Sequence, residues 1–167
     1  MDIQKELIAE FDREIATTRK ILAAIPADVD FGWKPHDKSM SLGRLAGHVS
    51  DTAGSWAMSA LTTDKLEFPA GHKFEPYVPA STDALVEKFD KQAAEAMAAL
   101  AGLAMSTWDE NWQFIVAGQV FISQSKYEVW RTWVVNHMIH HRAQLGVYLR
   151  LLNKKVPGAY GPSADEM

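Results

Sequence analysis

The sequence predicts an all-α fold: a four-helix bundle with long connecting loops and a short β-hairpin or extended excursion before the last helix. Apolar residues recur at the helical period in four separate stretches. Prolines and glycines interrupt the chain between those stretches. One segment, Trp108–Ser123, abandons the helical period for short apolar runs on either side of Ala117-Gly118.

The first helix is expected from Asp2 to Ile25, with Leu7, Ile8, Phe11, Ile15, Leu22 and Ile25 on its apolar side and Pro26 ending it. The second starts at Ser39 or Ser41, either of which can cap it, and runs to about Thr63. Gly43, Gly47 and Gly54 weaken its propensity, so packing must hold it, and close approach of another helix would account for them. Leu66–Ala80, with three prolines and a glycine, reads as a long loop. Ser81 or Thr82 caps a third helix reaching about Leu103, with Leu85, Phe89, Ala93, Met97 and Leu100 inward. Trp112 to Ile122 then suggests two short strands, or an extended loop, turning at the glycine. The last helix runs from about Ser125 to Asn153. A wheel drawn at 100° per residue places Trp130, Trp133, Val134, His137, His141, Gln144, Leu145 and Tyr148 on one face and Arg131, Arg142 and Arg150 on the other.

A chain of 167 residues that is 47% hydrophobic and 23% charged is long and apolar enough to fold as one domain over residues 1–167. A net charge of -4 without a basic stripe leaves nucleic acid no electrostatic footprint. The absence of cysteine excludes disulfides, iron–sulfur ligation and a thiol nucleophile of the chain's own. The mixed-charge start is unlike a signal peptide, and no apolar run approaches the roughly 18 residues of a membrane span. The expected location is the cytoplasm, with no membrane partner.

The run Asn136-His137-Met138-Ile139-His140-His141-Arg142-Ala143-Gln144 carries the strongest chemical signal. His137 and His141 stand four apart, so on a helix both imidazoles project from one face, about one turn apart. Buried without partners they would lose solvation and be driven neutral, which is the form that ligates a metal. The best third ligand is His48, whose helix carries Arg44, Thr52, Ser55 and Ser59 as a polar strip suited to a pocket wall. Three nitrogens with an open position match a catalytic site, whereas a structural one is closed by four ligands. An all-nitrogen set suits transition ions better than calcium or magnesium, zinc or nickel first, with iron, cobalt or manganese as alternatives. No glutamate follows His137, so the pair lacks the general base of the zincin helix.

Around the triad, Gln144 and His140 are the candidate catalytic groups: Gln144 to orient water or bind substrate, His140 as a hydrogen-bonding residue at the rim. Arg142 is expected to face solvent or the next helix in a salt bridge. His36 and His72 lie in loops beside prolines and are expected to be exposed. Trp33 and Trp56 are expected at a pocket, Trp130 and Trp133 in the core or a subunit contact.

The chain resembles the DinB/YfiT-like family of metal-binding four-helix proteins. The resemblance rests on His48 within Leu45-Ala46-Gly47-His48-Val49, on the Asn136–Leu145 run, on Tyr148-Leu149-Arg150 and on the ending Val156-Pro157-Gly158-Ala159-Tyr160-Gly161. It implies a histidine triad on a divalent ion, at His48, His137 and His141, and a homodimer, for which the six tryptophans are a second indication. It also implies low-molecular-weight-thiol chemistry, S-transfer to or isomerisation of a small electrophile, with the thiol as cosubstrate. Hydrolysis by metal-bound water is the alternative within the enzyme class, and no second carboxylate stands out near the triad to serve as its base. A non-catalytic metal- or ligand-binding stress-response module is the alternative outside it.

Overall fold

Helix starts in this chain are set by short polar side chains that accept from backbone N–H groups otherwise left unpaired. In the computed structural model, which describes residues 2–167, Asp2 accepts from the Lys5 N–H and opens α1 (Ile3–Ala23). Ser41 accepts from Arg44 and opens α2 (Leu42–Asp51), which runs through a π-helical turn at Thr52–Trp56 into α3 (Ala57–Thr62). After β1 (Lys65–Phe68), Ser81 accepts from Ala84 and opens α4 (Thr82–Ala101). A short 3₁₀ turn at Met105–Asp109 leads to β2 (Asn111–Val116) and β3 (Gln119–Ser125). Ser125 and Glu128 form a reciprocal capping box at the start of α5 (Lys126–Val129), which continues through a π segment, Trp130–Asn136, into α6 (His137–Leu151). The four helical rods thus match the expected number, and the second and fourth each contain a π-helical break.

The molecule is not purely α. β1 pairs in parallel with β2, Lys65 beside Gln113 and Phe68 beside Val116, and β3 completes a three-stranded sheet antiparallel to β2. The excursion before the last helix is therefore a hairpin. Its turn, Ala117-Gly118, has φ of 51° and 77°, the left-handed pair that matches strand twist. The expected Leu66–Ala80 loop is corrected at its start, because Leu66–Phe68 is strand. A four-residue strand with hydrogen-bond partners far along the chain has no local signature of its own.

Phe11 and Leu22 of α1, Leu42, Leu45 and Val49 of α2, Leu85, Phe89 and Leu100 of α4, and Met138, Leu145 and Leu149 of α6 are fully buried in one continuous core. Among the described residues no helix is long and apolar enough to cross a membrane. The core line in α6 is not the one a uniform helical wheel gives. A π turn inserts an extra residue and rotates everything after it by about 100°. Trp130 and Val134 are buried before the break is complete; beyond it the line passes through Met138, Arg142, Leu145 and Leu149. His137, His141 and Tyr148 consequently stand half-buried at the edge of the core rather than at its middle.

The same rotation puts Arg142 inside, 3% exposed, so that of its two expected surroundings, solvent or another helix, it takes the helix, with the expected salt bridge. Its Nη1 lies 2.7 Å from Glu14 Oε2 and donates to the Glu14 carbonyl and the Thr18 hydroxyl. Its Nη2 donates to Tyr160 Oη at 2.7 Å, and that hydroxyl donates to Glu14 Oε2 at 2.9 Å. α6, α1 and the chain's last segment are thereby tied at one point. Removing one partner strands the other charge in the core, so Glu14→Ala is expected to cost about 3–5 kcal/mol in chemical denaturation. Tyr160→Phe, which deletes one hydroxyl, should cost about 1 kcal/mol.

Candidate metal centre

His48 on α2 and His137 and His141 on α6 meet where the second and fourth rods face each other. His48 Nε2 lies 3.0 Å from His137 Nε2, and one ring nitrogen from each of the three falls within 4.8 Å of the others. Ring centroids are 5.0, 4.5 and 4.7 Å apart for the three pairs. Burial is the main reason these imidazoles resist a proton. It pushes His48 and His137 from 6.5 down to about 4, with the other imidazoles adding repulsion and Arg44 a further part at His48. His141 is lowered too, by burial, although its bond to Gln144 works the other way. Three crowded neutral imidazoles are the donor set a divalent ion takes.

The rotamer of His141 is held from behind. Its Nδ1 is 2.8 Å from Gln144 Oε1, and an amide oxygen can only accept, so the ring proton sits on Nδ1 and the Nε2 lone pair is free. Gln144 Nε2 in turn donates to His140 Nε2 at 3.0 Å. Gln144 therefore orients a triad residue with one end and His140 with the other. His140 is exposed at the rim, where the sequence places it. His36 and His72 are both exposed and outside the cluster: His36 Nδ1 accepts from the Lys38 N–H, and His72 stacks on Phe68.

Nitrogens about 2.0–2.1 Å from one tetrahedral ion are separated by about 3.3 Å, close to the 3.0 Å between the two Nε2 atoms. The residues present thus fit a mononuclear divalent ion, and among the described residues the cluster contains three histidines and no carboxylate.

A cleft opens on each side of the triad. One of about 510 Å³ is bordered by Trp133, Asn136, His137, His140 and His141. A smaller one of about 210 Å³ is bordered by Arg44, His48, Asp51, Trp56, Phe74 and Tyr77. The expected polar wall of Thr52, Ser55 and Ser59 does not form there: Thr52 is buried and donates to the Val49 carbonyl, Ser55 is exposed, and the Ser59 hydroxyl pairs with Thr63 Oγ1 at 3.3 Å. The wall instead comes from the loop after β1. It packs so tightly on α2 that a Cβ at Gly47 would lie 2.2 Å from the Tyr77 carbonyl oxygen. At Gly43 and Gly47 the close approach is thus largely by a loop; at Gly54 it is by Gln92 of α4, a helix as expected.

Trp56 lines the smaller cleft as expected and stacks on Trp133, with centroids 6.1 Å apart and planes 5° apart. Trp33 packs edge-on against Tyr148. Trp130 is wholly buried against Phe11. Three cleft residues escape sequence reasoning. Asp51 stands three residues after His48 on the same helix face, a spacing that could have found it. Phe74 and Tyr77 carry no local signal, since only the loop's path brings them there. An apolar groove of about 470 Å³ between α6 and the chain's end, by Ile139, Val147 and Pro157, is larger than the smaller cleft but lies apart from the triad.

A model of the DinB family matches residues 1–167. The chain is also similar to a solved structure of a DinB-like protein from Bacillus cereus ATCC 10987, with a TM-score of 0.70 and 22% identity over 93% of this chain and 97% of that one. At that identity the likeness is one of fold. No curated protein matches the chain.

The depressed imidazoles link stability to pH with a definite sign. Between about pH 4 and 6.5 the unfolded chain binds protons that the folded one refuses, so unfolding takes up protons and acid destabilises. With a chelator present, denaturation midpoints should be level above about pH 6.5 and fall as the pH drops toward 4. A His48→Gln, His137→Gln double variant should show a visibly shallower decline over that window.

Proposed function

The chain belongs to the DinB family, and from the three imidazoles converging between α2 and α6 we propose that it is a mononuclear metalloenzyme. In this reading His48, His137 and His141 hold zinc or nickel, and a low-molecular-weight thiol serves as cosubstrate for S-transfer to, or isomerisation of, a small electrophile. The observation that carries it is a three-nitrogen cluster with no fourth protein ligand among the described residues, flanked by clefts sized for small molecules. A site completed by protein would favour a structural ion; an incomplete one leaves room for a ligand.

A bound divalent ion would lower the pKa of a coordinated thiol or water. The chain has no cysteine, so in S-transfer the sulfur must come from the cosubstrate. Its electron pair forms the new carbon–sulfur bond, the leaving group departs with the pair of the bond that breaks, and the thiol proton passes to solvent. The chain's own task is to hold the two reactants together. Gln144 keeps His141 Nε2 directed at the triad, and the stacked Trp56 and Trp133 border the approach from either cleft.

Asp51 supports a second reading, hydrolysis of an amide or ester, because it supplies the carboxylate base that the triad itself lacks. Lys88 Nζ, however, already pairs with its Oδ1 at 2.6 Å. The thiol reading needs no such base and is preferred.

Elemental analysis of untagged protein is expected to find about one divalent ion per chain, and His137→Ala or His141→Ala to reduce it to background. Metal content unchanged by both substitutions would remove the site. Product formation from 1-chloro-2,4-dinitrobenzene, followed by absorbance, should require both the ion and an added small thiol. Turnover of a p-nitrophenyl ester by the metal-loaded protein without thiol, lost in Asp51→Asn, would instead establish the hydrolytic reading.

A further inference from the structure

Arg44 stands one turn before His48 on α2 and borders the same 210 Å³ cleft. Four residues of helix separate their Cα atoms along the axis by only about 6 Å. Among the described residues the Arg44 backbone N–H is capped by Ser41, while its guanidinium takes part in no ion pair or hydrogen bond. The other charges beside the cleft are already satisfied. Lys88 Nζ is 2.6 Å from Asp51 Oδ1 and 3.6 Å above the Tyr77 ring, so this cation is held by the wall it supports and its charge offsets that of Asp51. The rest of the lining is Met40, Trp56, Phe74 and Pro76. The cleft therefore offers a ligand one uncommitted charge, positive, close to the triad.

A guanidinium presents a planar fork of donors that matches a carboxylate, and against aromatic walls such a pair is screened less than in open solvent. We propose that Arg44 is the specificity-determining residue of the site: it takes the carboxylate of a small thiol whose sulfur is directed at His48, His137 and His141. The cosubstrate class is thus an anionic thiol with a short chain between sulfur and carboxylate, matched to the one-turn separation of Arg44 and His48. Arg44 acts on binding and orientation and takes no part in proton transfer. This assignment deepens the thiol reading and depends on it.

Calorimetric titration of the zinc-loaded protein with 3-mercaptopropionate and with 2-mercaptoethanol tests it, since the two probes differ chiefly in the carboxylate. The wild type is expected to bind 3-mercaptopropionate about tenfold more tightly, the scale of one solvent-accessible charge-assisted bond. Arg44→Gln should abolish that preference while leaving 2-mercaptoethanol affinity and melting temperature unchanged, and Arg44→Lys should restore part of it. Because the guanidinium has no hydrogen bond or ion pair among the described residues, Arg44→Gln breaks no polar contact of the fold. Equal affinities in the wild type, or a preference that survives in Arg44→Gln, would overturn the assignment and leave the thiol reading standing. Failure of both thiols to bind protein that holds zinc stoichiometrically would overturn the two together.

Discussion

A guanidinium in the core of a helical bundle is tolerable only if its donors are met, and Arg142 meets that condition through α1 and the end of the chain. Glu14 contributes a carboxylate and a carbonyl, Thr18 a hydroxyl and Tyr160 a phenol. Because these acceptors sit at fixed places, α6 can rotate or slide very little without leaving a buried charge unpaired. His141 is the adjacent residue, and His137 is one turn before it. The rotational setting that satisfies Arg142 is thus also the setting that turns both imidazoles toward α2. Stability and site geometry share one interaction.

The π-helical segments complete that setting. They occur at Thr52–Trp56 and Trp130–Asn136, in the two rods that carry the histidines, and they pack against each other. Each trades the regular hydrogen-bond ladder for a looser one, a departure found mostly at functional sites. What they achieve here can be stated structurally. They bring Trp56 and Trp133 into a flat stack beside His137, and the second moves the buried face of α6 round to the line of Arg142. The crowded imidazoles carry the cost of lost hydration, and Gln144 meets one of their ring N–H groups in return. On the other side, the absence of a side chain at Gly47 lets the Tyr77 backbone approach α2 and close the cleft beside His48.

Much of this was readable from local pattern. Ser41, Ser81 and Ser125 open helices because a hydroxyl can reach a backbone N–H two or three residues on, a contact contained within one short stretch. The Ala117-Gly118 turn is likewise local. The pairing of His137 with His141 follows from helical spacing alone; His48 does join them, although the Thr52, Ser55 and Ser59 strip that singled out its helix does not line the cleft. The same spacing contained Asp51, three residues after His48.

Spacing could not reveal whatever depends on a partner distant in sequence. β1 exists because the backbone of β2 lies alongside it, and Phe74 and Tyr77 reach the cleft because their loop settles on Gly43 and Gly47. The uniform 100° wheel failed in the last helix for a related reason. A single inserted residue rotates every later side chain, and a wheel drawn at a uniform period has no place for one. The amino-acid sequence by itself determined four helical rods, their starting points and a spaced histidine pair, because hydrogen bonds and periodicity over a few residues suffice for those. The tertiary structure alone decided that Arg142 lies in the core, that the histidines stand at its edge beside two clefts, and that Arg44 faces one of them uncommitted, because burial and charge pairing are relations between segments that meet only when the chain is folded.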